Sequence, residues 1–197
     1  MPEVDVAPGA WRGIDELAEL IGAYCWVENR IFELSGVWAS DAGAGPVDGL
    51  DPALRVWCAG VSRRHGHSAT RWAERLPVRA GVDRDALVAA PAGPLAGALA
   101  ALAAGSDFTA QVAVLALTVL PLLQAVYGAH GRTASPVSEA PVLEVLAGAH
   151  RELSGEISSG RALLEASEGG VARDPALGAA LERAFLETSV FPAVRTS

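Results

Sequence analysis

Apolar positions recur at alternating steps of three and four along the first third of the chain, the spacing of a single helical face. The first such segment runs from about Ile14 to Trp38, and the second begins at Asp51-Pro52 and ends before Pro77. The first face comprises Leu17, Ile21, Tyr24, Glu28, Ile31, Ser35 and Trp38. The second comprises Leu54, Cys58, Val61, His65, Ser68 and Trp72. The pattern predicts two long helices that each bury one face.

Three further helices of substantial length follow a Pro-containing crossover that carries a short Ala/Leu-rich helix. They are predicted from Asp107 to about His130, from near Glu139 to Ala166 with a stop at Gly169-Gly170, and over about 174–189. No segment alternates in the way that strands between hairpin turns do. We therefore predict an all-α fold in a single domain, residues 1–197, with its core at about 13–166.

The connections between the long helices predict their arrangement. The Gly- and Pro-rich loop from Asp41 to Leu50 is short, so the first two helices should pack antiparallel, and the crossover after Pro77 is long. Two hairpins joined by one long connection are the layout of a ferritin-like four-helix bundle. The last amphipathic helix is an addition to that bundle.

Composition excludes several classes of function. The net charge of −8 argues against a nucleic-acid surface. All fifteen basic residues are arginines, which we interpret as codon bias, with an arginine-dependent anion site as the alternative. The N-terminus shows no signal peptide, and Cys25 and Cys58 lie in apolar helical runs, so we expect a cytoplasmic protein. The apolar run Val112–Leu123 is shorter than the roughly 20 residues of a membrane span and contains Pro121, so no membrane insertion is expected.

Polar residues interrupt the predicted apolar faces of all four long helices, and buried carboxylates are rare unless they are paired or bind a metal. Glu28 and His65 lie on the first two faces, and Glu152 and Glu156 lie one turn apart on the fourth long helix. Positions beside these that would line a pocket or support ligands are Tyr24, Gln124, Tyr127 and His130.

Several strings resemble those of ferritin-like proteins of actinobacterial type, over roughly residues 13 to 166. They are the stretch from Tyr24 through Glu28 to Leu34, SRRHGHSATRWAERLP (62–77), VLPLLQAVYGAH (119–130) and SPVSEAPVLEVL before the Glu152–Glu156 helix. The resemblance implies a four-helix bundle and, in metal-binding members, one Glu from each of two helices and a Glu-x-x-His pair from each of the others.

The chain departs from that ligand pattern, because none of its glutamates has a histidine three residues later. Glu28 and His65, with Glu152 or Glu156 and His130 opposite, are the set that remains for one iron or manganese ion. The alternatives are structural. His65 is then a hydrogen-bonded core histidine, Glu28 pairs with Arg63 or Arg64, and the other two glutamates form a solvated edge.

Two functions stay open on the sequence. The first is a metal-free binding or scaffold protein, with a degenerate or absent di-metal site, that presents a surface or pocket to a protein partner or small ligand. The second is an oxidoreductase that uses iron or manganese and O2 on a small substrate. The first is favoured because the Glu-x-x-His pairs are missing. A homodimer is also expected, since a fifth amphipathic helix suggests apolar surface left over once the bundle closes.

Overall fold

The computed structural model describes residues 12–40, 51–105, 107–167 and 174–192, and these residues contain six α-helices. They are α1 (Ile14–Ala39), α2 (Pro52–Ala73), α3 (Leu95–Ala103), α4 (Phe108–Thr133), α5 (Ala140–Ala166) and α6 (Pro175–Glu187). A single 3-10 turn, Asp85–Leu87, lies in the crossover before α3. No strand occurs in the described ranges, which confirms the all-α prediction. The predicted loop 41–50 and the predicted stop at Gly169-Gly170 lie outside the described residues.

Aspartate side chains cap three of the helices, at the starts that the sequence predicted. Asp51 accepts a hydrogen bond from the backbone N–H of Ala53 at 2.8 Å. Asp107 and Asp174 do the same at the starts of α4 and α6, each at 3.0 Å. These carboxylates satisfy N–H groups that have no partner within the helix, and so they fix where α2, α4 and α6 begin.

The four long helices form two antiparallel pairs. In the first pair, the Ser62 hydroxyl of α2 donates to the carbonyl of Phe32 on α1, and the Cys25 thiol of α1 donates to the carbonyl of Ala69 on α2. In the second pair, Gln124 of α4 bonds Ser154 of α5, and Ala116, earlier in α4, lies beside Gly160, later in α5. In each pair, residues later in one helix meet residues earlier in the other, which defines the antiparallel direction.

Contacts between the pairs close the arrangement. Tyr24 of α1 bonds His130 near the end of α4, while Trp38 at the other end of α1 contacts Phe108 at the start of α4. Arg64 of α2 also bonds Glu156 of α5. The helices therefore surround a common interior, and α1 and α5 run in one direction while α2 and α4 run in the other.

The predicted apolar faces of α1 and α2 point into this interior. Every residue of the two faces is buried except Leu17, which is partly buried. Among the described residues, α4 is the one helix long and apolar enough to cross a membrane, but 61% of its most apolar window is buried inside the protein. That burial is typical of the central helix of a helical core.

The helix α4 is irregular at its centre. Residues Leu115–Val119 form a π-helical turn just before Pro121. Proline has no N–H, so the normal hydrogen bond to the carbonyl four residues earlier is missing, and the backbone widens locally.

The additional helices α3 and α6 pack against each other outside the four long helices. Leu95, Leu99 and Leu102 form the buried face of α3, and Leu181 and Phe185 belong to that of α6. α3 also lies beside α1, and residues of both helices line a pocket that is described below.

Candidate functional site

Glu28, His65 and Glu156 meet in the interior, although they come from α1, α2 and α5. Their exposed fractions are 1%, 3% and 3%, so water does not solvate the charges. Helical spacing carries Glu28 and His65 to this point, since each continues a buried face. Three ionisable groups in one dry position form the most unusual chemical feature of the chain.

The imidazole of His65 bridges the two carboxylates. Its Nδ1 is hydrogen-bonded to Oε2 of Glu28, and its Nε2 lies 3.1 Å from Oε2 of Glu156. Burial by itself lowers the pKa of His65, but the charge of Glu28 and the hydrogen bonds to both glutamates outweigh it and raise the pKa to about 10. His65 is therefore an imidazolium that donates one N–H hydrogen bond to each carboxylate.

The remaining carboxylate oxygens are also occupied. Tyr127 donates from its hydroxyl to Oε1 of Glu28 at 2.5 Å, and the indole N–H of Trp72 donates to the Tyr127 oxygen at 3.0 Å. At the other end, Nε of Arg64 bonds Oε1 of Glu156. Burial raises the pKa of Glu156, yet His65 and Arg64 reverse this and hold it below 4.5. We call the chain Arg64–Glu156–His65–Glu28–Tyr127 the central network.

The central network does not fit a metal ion in this arrangement. An imidazole ligates a metal through a neutral nitrogen with a free lone pair, and both nitrogens of His65 face carboxylates instead. The adjoining space is about 10 Å³, which is at most the room of one water molecule. Within the described ranges, no group of three or more His, Cys, Asp and Glu residues is arranged to hold a metal. Two cationic side chains, His65 and Arg64, neutralise the carboxylates that a metal would otherwise bind.

Protein purified without chelators is expected to carry well under one equivalent of iron or manganese per chain, because the imidazolium would have to lose one proton and give up its hydrogen bond to a carboxylate to act as a ligand. Elemental analysis after incubation with excess Fe(II) or Mn(II) and gel filtration measures this directly. One ion per chain, lost in a His65→Ala variant, would restore the metal hypothesis.

Two of the residues predicted as candidates do not belong to the central network. The carboxylate of Glu152 is 38% exposed and pairs with Arg71 at 2.8 Å, at the edge of the small cavity. Gln124 was predicted to line a pocket, but it bonds Ser154 at 2.6 Å in an exposed position. Pairing of Glu28 with Arg63 or Arg64 was one alternative on the sequence, but Glu28 contacts His65 and Tyr127, and Arg64 bonds Glu156 instead.

The remaining candidates, Tyr24 and His130, belong to a second buried chain of hydrogen bonds. The hydroxyl of Tyr24 lies 3.2 Å from Nδ1 of His130, whose Nε2 lies 2.9 Å from Oε2 of Glu139. Burial lowers the pKa of His130, so this imidazole is neutral near pH 7. Arg12 approaches Glu139 from the surface at 3.8 Å. The sequence indicated Glu139 only as a helix start, so its role here was missed.

Aromatic rings join the two chains. The ring of Tyr24 contacts the edge of Tyr127 with centroids 4.9 Å apart and lies 5.0 Å from the ring of Trp72. These ring contacts fill the interior beside the central network, and the cavity that Glu28, His65 and Glu156 line has a volume of only about 10 Å³.

A separate pocket of about 490 Å³ lies between α1 and α3. Its apolar wall includes Trp26, Leu34 and Trp38 from α1 and Ala96, Leu99 and Ala100 from α3. This is a typical volume and lining for a small-molecule site. Trp26 and Val37 lie on α1 off its buried face, so the sequence indicates an apolar outer side of α1 but not the pocket itself.

One pair of charges borders the pocket. Arg30 and Glu33, one turn apart on α1, form a salt bridge of 2.6 Å, and each side chain is about half-exposed. The guanidinium of Arg30 also lies over the ring of Trp26, 5.6 Å from its centroid. We call the space between α1 and α3 the outer pocket, and this ion pair its polar rim.

Comparison with protein families, with curated proteins and with solved structures found no match to this chain. The geometry of the central network and of the outer pocket therefore carries the functional interpretation.

Proposed function

We propose that the chain is a ferritin-like four-helix bundle whose metal site has become an internal ion-pair network, and that it serves as a metal-free, cytoplasmic binding protein for a small ligand. The observation that carries this proposal is the outer pocket, which combines a ligand-sized volume with a largely apolar wall.

The helix directions support the ferritin-like part of the proposal. A bundle in which the first and last long helices run parallel and the middle two run opposite to them needs one long crossover, and the segment between α2 and α4 has that length. The simpler up-down-up-down bundle has only short loops.

The central network supports a structural role for Glu28, His65 and Glu156, the residues that the sequence offered as metal ligands. Each of the two carboxylates has partners on both of its oxygens, and the cationic partners lie within the same site. A substrate has no room beside His65, so the network acts as a fixed internal brace between α1, α2, α4 and α5.

We expect the neutral dye N-phenyl-1-naphthylamine to bind the outer pocket with a rise in fluorescence, because its aromatic body suits an apolar wall. Substitution Ala100→Phe should weaken this binding at least about tenfold by filling the pocket. The matched control is Ala101→Phe, which adds the same ring at an exposed position of α3 that does not line the pocket.

Titration of the dye into the three proteins measures these affinities, and thermal unfolding checks that both variants remain folded. Equal binding by the wild type and both variants would show that the dye sits elsewhere and would contradict the proposed pocket.

A further inference from the structure

We infer that the outer pocket selects neutral, planar aromatic molecules that carry an amide-like polar group at one end. This inference rests on the proposed function, because it assigns a ligand class to the same pocket. Three features carry it: the balanced charges of the polar rim, the flat aromatic wall, and the free hydrogen-bonding groups that the rim retains.

Charge balance at the rim disfavours charged ligands. Arg30 and Glu33 lie on the same pocket at 2.6 Å from each other, so the rim has both signs of charge and no net charge. A carboxylate that approached Arg30 would meet the carboxylate of Glu33, and an ammonium that approached Glu33 would meet Arg30. Either ligand would have to separate an existing ion pair, whereas a neutral ligand leaves the pair intact.

The wall favours a flat aromatic body. Two indole rings, of Trp26 and Trp38, line the α1 side, and the α3 side opposite contributes Ala96 and Ala100. Leu34 and Leu99 complete this apolar wall, and an aromatic ligand can add ring contacts with the two indoles to the burial of apolar area.

The rim also defines the polar end. A guanidinium has five N–H donors, and in this structure Arg30 uses Nη1 for Glu33. The carboxylate of Glu33 retains acceptor sites beyond that bond. An amide can therefore offer its carbonyl to Arg30 and its N–H to Glu33 at the same time, which neither a carboxylate nor an ammonium can do.

Three probes with one naphthalene body test the inference by isothermal titration calorimetry at low salt: 2-naphthamide, 2-naphthoate and protonated 2-naphthylmethylamine. We expect the amide to bind the wild type about threefold or more tightly than either charged probe, in keeping with half-exposed charges. The variant Glu33→Gln leaves a positive rim and should bind the naphthoate most tightly. The variant Arg30→Gln leaves a negative rim and should bind the ammonium most tightly.

The outcomes separate the two claims. If no probe binds, or if Ala100→Phe leaves binding unchanged, the proposed pocket fails. Binding that Ala100→Phe weakens would support the pocket. In that case the ligand class alone fails if a charged probe binds as tightly as the amide, or if the rim variants keep the wild-type order of affinities. Light scattering on the same samples tests whether a second copy of the chain occupies the pocket. A dimer that Ala100→Phe dissociates would overturn the inference.

Discussion

Replacing His65 by alanine is expected to lower the free energy of unfolding by about 3–5 kcal/mol at pH 6, the cost of breaking a buried ion pair by removing one partner. The imidazolium now donates to both Glu28 and Glu156. Without it the two carboxylates face an empty, dry space with only Tyr127 and Arg64 at their outer oxygens. Urea unfolding followed by circular dichroism measures the loss.

The matched control for this variant is His67→Ala, which removes an imidazole two residues further along α2, where the side chain is exposed. Exposed substitutions change stability by about 0.5 kcal/mol or less. Similar losses in the two variants would show that the effect comes from α2 as a helix and not from the central network.

The contribution of His65 to the free energy of unfolding should depend on pH. The pKa of His65 is about 10 in the folded protein and 6.5 in an unfolded chain. Below pH 6.5 both states are protonated and the contribution of His65 to stability is complete. Above pH 6.5 only the folded state keeps the proton, so the contribution falls by about 1.4 kcal/mol per pH unit until the folded pKa is reached.

The difference in stability between the wild type and His65→Ala should therefore be largest near pH 6 and shrink towards pH 9. The pKa of Glu156 lies below 4.5, so its contribution is complete above that pH and adds no slope in this range. A difference that stays constant from pH 6 to pH 9 would mean that His65 is neutral in the folded protein.

The helices, and the meeting of Glu28 with His65, could be predicted because burial repeats with the helical period. A residue on the inward face of α1 must approach the inward face of its antiparallel neighbour. The choice between Glu152 and Glu156 could not be predicted, because residues one turn apart share a face. That choice depends on how α5 is rotated. The ring of Trp57 lies against Gly160, and its indole N–H bonds the carbonyl of Glu156, so packing turns Glu156 inward.

The outer pocket could not be predicted because it belongs to no single helix. The periodicity of α1 separates its buried face from the rest, but it does not show which element covers the outer side. Which element covers this side depends on the crossover between α2 and α3. The crossover lies against Gly22 of α1 through backbone atoms of Leu87 and Val88, and no apolar repeat marks that contact.

The crossover can lie against α1 because residue 22 is a glycine. A Cβ added at Gly22 would lie 2.0 Å from the carbonyl oxygen of Leu87 and 3.0 Å from its carbonyl carbon. Real Cβ atoms do not approach a backbone so closely, and a backbone carbonyl has no rotamer with which to move aside. Gly22 therefore allows the crossover to lie directly on α1 at Leu87.

Gly22→Ala is accordingly expected to destabilise the protein by about 1–3 kcal/mol, the usual cost of overpacking a close contact. This loss runs against helix propensity, since alanine is better than glycine inside a helix by about 1 kcal/mol. The control is Gly155→Ala in α5, where a Cβ would meet nothing within 4 Å, so propensity alone should stabilise that variant by about 0.5–1 kcal/mol. Urea unfolding of the two variants should give changes of opposite sign. If Gly22→Ala stabilised the protein as Gly155→Ala does, the crossover would not rest on α1 at Leu87.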